Sequence, residues 1–376
     1  MEAVDFNTLL LLIGMMVIVG ITRRSGVFEY LAIKSAKMAG GEPWKILLVI
    51  SLVTAVLSAL LDNVTTALLV VPVTFAITDR LEISPMPFLI AEILASNIGG
   101  TATLIGDPPN IMIGSATGLG FMDFVTNLTL PVIVILLLTL AILLLIYRRD
   151  LVANDENKAR ILELNEIDYI REWLLLKKSL LVLGLTIIGF FIHQTLHLES
   201  ATIALLGAGL LLLLVREDPE EALLSIEWPT LFFFGGLFIL VGAMEANGVI
   251  TDLSHTVLKI TGDSPVKTGI LVLWFSALGS AFVDNIPFVA TMIPLLQDMG
   301  QVTGMSMDSV WWALALGSCL GGNGTLIGAS ANVIIAGISE RHNTQIRFID
   351  YLKVGFPLMI LSILVSNLYL YLFYWR

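Results

Sequence analysis

The sequence predicts an all-α polytopic membrane protein built from two inverted repeats, each with a re-entrant helical hairpin and a broken transmembrane helix. Three observations lead there. Of the 376 residues, 57% are hydrophobic and only 14% charged, with a mean hydropathy of +0.91; soluble domains carry roughly a quarter charged residues. Apolar runs at 128–147, 180–192, 201–215 and 354–374 approach or reach the roughly 20 residues that cross a bilayer, whereas the short alternating strands of a β-barrel are absent. Finally, Asp62-Asn63 recurs as Asp284-Asn285, an offset of 284 − 62 = 222. The same offset carries Gly99-Gly100 onto Gly321-Gly322, Thr103-Leu-Ile-Gly106 onto Thr325-Leu-Ile-Gly328, Asn110 onto Asn332, Thr8 onto Thr230 and Pro72 onto Pro294, with no gap. Apolar residues match by chance in so greasy a chain, but an Asp-Asn pair does not. Repeats whose shared residues interrupt hydrophobic segments mark the binding site of a secondary transporter.

In chain order, residues 8–22 form a crossing, and 26–40, with Glu29, Tyr30, Lys34 and Lys37 among apolar residues, suits an interfacial amphipathic helix. Segment 47–78 is broken at Asp62-Asn63 into arms of roughly 15 residues, about 22 Å at 1.5 Å per residue, short of the ~30 Å hydrocarbon core. It reads as a re-entrant hairpin. Segment 88–117 is interrupted over 99–110 and reads as two half-helices, and 128–147 crosses again. These close the first repeat at residues 1–147. A polar cytoplasmic linker follows at 148–178, then a connecting helix pair within 179–216 (180–194 and 201–215). The second repeat, 217–376, contains a crossing at 230–243, a hairpin at 269–297, a broken helix at 310–339 and a crossing at 354–374.

Five crossings separate residue 8 from residue 230. The number is odd, so the second repeat enters from the opposite side. The positive-inside rule agrees. One face receives seventeen of the twenty Lys and Arg residues, and the other receives only Lys259, Lys267 and Arg376. Both termini then lie outside, the Asp62 tip enters from the cytoplasm and the Asp284 tip from outside. Trp44, Trp173, Trp228, Trp311, Trp312 and Trp375 fall near segment ends, as an aromatic belt requires.

An ionisable residue near the midplane costs roughly 2.5–3.5 kcal/mol on insertion scales, so two at symmetric positions point to use. Asp and Asn also cap helix starts, which is compatible with binding. In Gly99-Gly-Thr-Ala-Thr-Leu-Ile-Gly-Asp-Pro-Pro-Asn110 the glycines permit unwound backbone and the prolines suit the first turn of a new helix. Such backbone survives at membrane depth only around a cavity or inside protein. Thr101, Thr103 and Asn110 add oxygen ligands suited to hard ions such as Na⁺. The partner loop, Gly321-Gly-Asn-Gly-Thr-Leu-Ile-Gly-Ala-Ser-Ala-Asn332, keeps the glycines, Thr325 and Asn332 but replaces Asp107 by Ala329. No Lys or Arg falls in 46–79, 88–117, 268–298 or 308–339, whereas Asp62, Asp107 and Asp284 do. That balance favours protons and cations over an unaccompanied anion. Glu92 reads as interfacial.

Four motifs carry a resemblance over nearly the whole chain: Leu61-Asp-Asn-Val-Thr-Thr66, Asn97-Ile-Gly-Gly-Thr-Ala-Thr-Leu-Ile-Gly-Asp-Pro-Pro-Asn110, Asp284-Asn-Ile-Pro-Phe-Val-Ala-Thr-Met-Ile-Pro294 and the 321–332 loop. They resemble the melanosomal P protein branch of the ArsB/NhaD permeases, within the ion transporter superfamily and its citrate transporter-like domain. The resemblance implies inverted repeats with re-entrant hairpins, a homodimeric scaffold and elevator-like motion. It leaves the substrate open, since relatives are associated with Na⁺/H⁺ exchange, arsenite efflux, dicarboxylate uptake or anion conductance.

The expectation is a secondary active ion transporter, multi-pass in the cell (inner) membrane and surrounded by lipid, moving a small inorganic ion or small anion by alternating access. Na⁺ or H⁺ is the coupling ion, and there is no other cofactor. The candidate ion- or substrate-binding residues are Asp62, Asn63, Thr65, Thr66, Asn97, Thr101, Thr103, Asp107, Asn110, Asp284, Asn285, Asn323, Thr325, Ser330 and Asn332, with Na⁺ placed at Asp62, Asn63, Asp284 and Asn285. The alternative is an organic-anion, dicarboxylate or arsenite-type oxyanion permease; a passive anion channel is a further one. Enzymes find no support. No nucleophile–base pair stands out, the glycine-rich loops lack the Gly-Lys-Ser/Thr of a phosphate loop, and His193, His197, His255 and His342 show no metal-ligand spacing. Cys319 is the single cysteine, and no basic patch suggests nucleic acid. The helix pair before the second repeat has no counterpart before the first. Met1-Glu-Ala-Val-Asp-Phe-Asn-Thr8 shortens the lead-in Glu220-Glu-Ala-Leu-Leu-Ser-Ile-Glu-Trp-Pro-Thr230, so longer relatives are expected to carry an extra N-terminal pair.

Overall fold

A computed structural model describes residues 4–216, 219–262 and 264–376; the start of the Met1 lead-in and residues 217–218 of the second repeat lie outside these. The first repeat comprises α1 (Phe6–Arg24), α2 (Val27–Met38), α3 (Pro43–Leu60), α4 (Asn63–Leu81), α5 (Met86–Gly100), α6 (Pro108–Thr117) and α7 (Phe121–Tyr147). After α8 (Asp155–Leu162) come α9 (Trp173–Ile192), α10 (Ser200–Val215) and α11 (Pro219–Leu223). The second repeat comprises α12 (Trp228–Ala246), α13 (Val249–Thr261), α14 (Pro265–Phe282), α15 (Asn285–Thr303), α16 (Asp308–Gly321), α17 (Ser330–Arg341) and α18 (Phe348–Phe373). Among the described residues there is no strand, and eight helices are long and apolar enough to cross a membrane.

Three expectations change. The hairpin arms are longer than the apolar runs suggested: α3 and α4 have 18 and 19 residues, about 27–29 Å. Pro43 and Pro265 start their helices at the first turn, where a missing N–H costs nothing, so the arms extend past the greasy stretch. They remain hairpins, because the two tips meet inside the molecule. The linker is shorter than 148–178: α9 begins at Trp173, and Lys178 reaches out of it to donate to Leu214 O at 2.6 Å. Sequence reading also passed over α13, the +222 counterpart of α2 (27 + 222 = 249). Its Asp252, His255 and Lys259 masked an amphipathic helix whose buried residues are Ile250, Ser254 and Thr261.

The repeats are inverted in space. α7 and α18 are equivalent by the offset, yet Tyr369 near the end of α18 donates to Asn127 O near the start of α7 at 2.7 Å, and Tyr374 bonds the Asn127 side chain. Equivalent helices therefore run antiparallel. The half-helices α5 and α16 form the centre: every residue from Pro87 to Gly100 and from Ser309 to Gly321 is buried. A helix apolar all round belongs in such a core. Outside it, α7, α9, α10 and α12 expose Leu137, Leu145, Leu181, Leu206, Leu213 and Phe232, an apolar belt far beyond what a water-facing surface carries.

Candidate functional site

The broken helices are held by duplicated bonds. Thr103 Oγ1 donates to Ala59 O and Thr325 Oγ1 to Ala281 O, each at 2.5 Å. Ser58 donates to Ser96 O at 2.6 Å and Ser280 to Ser318 O at 2.7 Å. Asn110 Nδ2 donates to Thr101 O and Thr103 O at 3.1 and 2.9 Å, and Asn332 Nδ2 to Gly322 O and Thr325 O at 2.7 and 2.9 Å. Thr101, Thr103 and Thr325 lie between the half-helices, whereas Ala59, Ala281, Ser96 and Ser318 lie within α3, α14, α5 and α16, so these bonds fasten helix to helix as well as loop to helix. Close approach needs glycine: a Cβ on Gly99 would fall 2.2 Å from Ala55 O, and one on Gly321 2.6 Å from Ala277 O. Thr103, Asn110, Thr325 and Asn332 thus build the loops, and Thr101 caps α5 by donating to Asn97 O at 2.7 Å. The hydroxyl of Thr66 is buried with no partner.

At the first tip Asp62 caps α4: its oxygens accept from Thr65 N at 2.7 Å and Thr65 Oγ1 at 2.5 Å. At the second, Asp284 accepts from Ile286 N at 3.0 Å and from Ser330 Oγ at 2.8 Å. The offset equates Thr65 with Pro287 and Pro108 with Ser330, so the hydroxyl has moved from the hairpin to the broken helix. The asparagines behind the caps turn inward. Asn63 Nδ2 donates to Asp107 Oδ1 and to Asn97 Oδ1, both at 3.2 Å. Asn285 Nδ2 donates to both oxygens of Asp107, at 3.2 and 3.3 Å. Both hairpins therefore meet on Asp107, which is fully buried. The four residues assigned to Na⁺ divide: Asn63 and Asn285 hold Asp107, whereas Asp62 and Asp284 cap the starts of α4 and α15, with Asp284 also accepting from Ser330 of α17 and Asp62 also lining the cavity beside Asp107. Among the described residues no three His, Cys, Asp or Glu gather as a metal cluster.

The half-helices are also tied to each other. Asn97 Nδ2 donates to Asn323 Oδ1 at 3.0 Å and Asn332 Oδ1 at 2.8 Å. On the opposite side the equivalent of Asn97 is Cys319, whose thiol donates to Asn110 Oδ1 at 3.5 Å. Cys319 is thus a packed, bonded residue between the repeats.

A cavity of about 50 Å³ adjoins Asp107, lined also by Asp62, Asn63, Asn285, Ser330 and, at the N-cap of α12, Glu227. No Lys or Arg lines it. Sequence reading missed Glu227; the signal was its equivalence to Asp5 under the offset. Two wider vestibules flank the centre and are themselves equivalent. One, about 430 Å³, is lined by Met16, Val19, Gly20, Arg23, Leu68 and Glu227, with Arg24 and Thr65. The other, about 170 Å³, is lined by Phe238, Val241, Gly242, Glu245, Ala290 and Asp5. These six pairs are related by +222 or, for Glu227 and Asp5, by −222. Glu92, expected at the interface, is buried against α4, where Thr74 Oγ1 donates to its Oε1; it lies about two turns into α5, and its neighbours on that helix are apolar or small.

Two inverted repeats whose broken helices and hairpin tips enclose a small polar centre, sheathed in an apolar belt, define a multi-pass membrane transporter. The chain belongs to the citrate transporter family, whose profile matches residues 1–317. It is 46% identical over 373 residues to an uncharacterized transporter of Mycobacterium bovis, covering 99% of this chain and 87% of that one. It is 36% identical over 448 residues to the P protein of Homo sapiens, covering 98% of this chain but 54% of that protein. In fold it is similar to the crystal structure of the Alcanivorax borkumensis YdaH transporter, with a TM-score of 0.64, 14% identity, and 96% of this chain and 84% of that chain covered.

Proposed function

We propose that the protein is a secondary active transporter that couples to Na⁺ or H⁺, with Asp107 as the central ion-binding group. The observation that carries this reading is the convergence of Asn63 and Asn285, one from each hairpin, on one buried carboxylate. A buried carboxylate needs a partner, and here neutral amides supply the side-chain hydrogen bonds. Asp62 and Glu227 add acid to the same cavity, so a monovalent cation or proton is the ligand that balances it. A half-turn of each amide replaces its NH₂ by an oxygen, which would give Na⁺ the hard ligands it prefers. Because each hairpin contributes one amide, moving either hairpin changes the site, which is what alternating access requires.

The cavity is too small as it stands for a di- or tricarboxylate. An anion, as the family's name suggests, would bind after the cation and with the hairpins further apart. Helix N-termini supply only about half a positive charge each, too little to balance an anion beside these carboxylates. Thermal unfolding of the purified protein tests the order. Na⁺, or a lower pH, is expected to stabilise it before any anion is added, by about 2.7 kcal/mol at a hundred times the dissociation constant. A citrate-induced shift that is full-sized without Na⁺ and flat across pH would overturn the cation-first reading.

A further inference from the structure

Glu92 is the one acid in α5, it is 1% exposed, and the central site does not use it. Thr74 Oγ1 of the hairpin arm α4 donates to Oε1; Oε2 is buried with no partner. The second repeat solves the same packing problem without polar groups. Thr74 corresponds to Leu296 and Glu92 to Leu314 (74 + 222 and 92 + 222), and both leucines are fully buried. The seam between the outer hairpin arm and its broken helix therefore works with two leucines, and only the first repeat carries a carboxyl there.

The charged and titratable groups on the surrounding helices leave Glu92 alone. Lys45 of α3, Asp79 and Arg80 of α4 and Glu340 and Arg341 of α17 sit within the first or last turn of their helices. Asp123 and Tyr147 of α7, Asp308 of α16 and Asp350 and Lys353 of α18 lie near helix ends too, while Cys319 and Tyr351 are engaged with Asn110 and Asn323. His342, which caps α17, stacks on Phe75 beside Thr74 with ring centroids 4.2 Å apart; among the described residues none of these groups hydrogen-bonds or pairs with Glu92, whose one polar partner is Thr74. A carboxylate without a cation or a second donor does not persist in so dry a place, but a carboxylic acid does.

We propose that Glu92 is a proton-binding site separate from the Asp107 centre, and that its proton is held only while α4 stays closed on α5. The orphan Oε2 is then the atom that carries the proton. Release requires water to reach the seam, which means movement of the first hairpin. Proton occupancy of Glu92 and the position of that hairpin are thereby linked, whereas the leucine seam of the second hairpin is indifferent to pH. The coupling half of this inference rests on the alternating-access reading above; the proton-binding half does not.

Two variants test it. Thr74→Leu/Glu92→Leu installs the second repeat's own pair, and Glu92→Gln keeps a neutral group able to accept from Thr74. A group protonated in the folded state and ionised in the unfolded state makes stability fall as pH rises above the ordinary carboxyl range. Tm of the wild type is therefore expected to fall more steeply between pH 5 and pH 8 than Tm of either variant. Equal slopes overturn the proton site. Coupling is read in proteoliposomes containing a pH-sensitive dye, under an imposed NaCl or sodium citrate gradient. Both variants are expected to lose at least about tenfold in proton movement while keeping the Na⁺-induced thermal shift of the Asp107 centre. Wild-type proton movement in both variants would overturn the coupling half, with the Tm slopes deciding whether Glu92 holds a proton. Proton movement absent from the wild type itself would count against the coupled-transport reading and the coupling half together, with the Tm slopes still deciding whether Glu92 holds a proton.

Discussion

The two repeats share a frame and differ in chemistry. Wherever backbone must be unwound, the same hydrogen bond recurs at +222: Thr103 and Thr325 to the hairpin, Ser58 and Ser280 to the half-helix, Asn110 and Asn332 to the loop. At the axis Asn63 and Asn285 recur, but at other positions there and at one seam the repeats diverge. Asp107 stands opposite Ala329, Asn97 opposite Cys319, Thr101 opposite Asn323, and Glu92 opposite Leu314. The first set is constrained twice, since a broken helix needs its orphan carbonyls satisfied in either orientation. The second set is constrained once, because a single carboxylate on the axis serves both hairpins. The scaffold is duplicated, and the fully buried carboxylate at its centre stands on one side of it.

The largest effect is expected at the axis. Asp107→Asn should fold and insert, since Asn keeps the size, but lose about 100-fold or more in transport and the Na⁺ or pH response of Tm. Removing one member of a buried, hydrogen-bonded charged set costs about 2–5 kcal/mol, and 1.4 kcal/mol is tenfold. The comparison sharpens with a swap. Asp107→Ala/Ala329→Asp puts the carboxylate on the other side of the same axis, where Asn63 and Asn285 are still the nearest tips by symmetry. It is expected to recover part of the Tm response that Asp107→Ala loses. No recovery would show that the site belongs to the first repeat's loop and not to the axis.

Much of this was legible in the sequence, and the reasons differ by residue. The repeat, the hairpins and the breaks could be read because Asp-Asn, Gly-Gly and Pro-Pro are improbable inside apolar helices. The inversion could be read from an odd number of crossings and the Lys and Arg asymmetry. The roles within the motif could not. Spacing does not say that Thr103 and Asn110 turn back to carbonyls while Asp107, between them, faces inward, because an unwound segment has no period to extrapolate. Asp62, Asp107 and Asp284 could all be read as site candidates, but spacing does not say that the two repeated acids cap helix starts while Asp107 receives both tip asparagines. The burial of Glu92 against α4 could not be read either, because a single acid in a half-helix does not say which neighbour covers it.

A middle-sized effect separates the two tips. Asn caps a helix about as well as Asp, so Asp62→Asn and Asp284→Asn should each change stability by less than about 1 kcal/mol. Asp62 lines the cavity, whereas Asp284 is engaged by Ser330. Asp62→Asn is therefore expected to weaken the Na⁺-induced Tm shift more, by roughly one pH-independent decade in apparent affinity, with Asp284→Asn closer to wild type. A loss at either tip as complete as that of Asp107→Asn would move the ion from the axis to the tips.

The smallest effect is expected in the vestibules, and it tests whether their opposite charge matters. Arg23 and Glu245 occupy equivalent positions in two equivalent cavities. Charges in a wet entrance act on arrival more than on binding, and they are screened over about 8–10 Å at physiological salt. Arg23 is the better target, because Arg24 is tied to Glu221 at 3.2 Å. Arg23→Glu is expected to raise the initial rate for a cation entering from that side and lower it for citrate, each by a few-fold, with both changes fading as salt rises. Glu245→Arg should do the reverse for a cation entering from the other side. Changes of the same sign for Na⁺ and citrate, or changes that persist in high salt, would mean that these side chains shape the hairpins and not the field. The vestibules would then differ in geometry alone, and the asymmetry between the repeats would be confined to the buried centre.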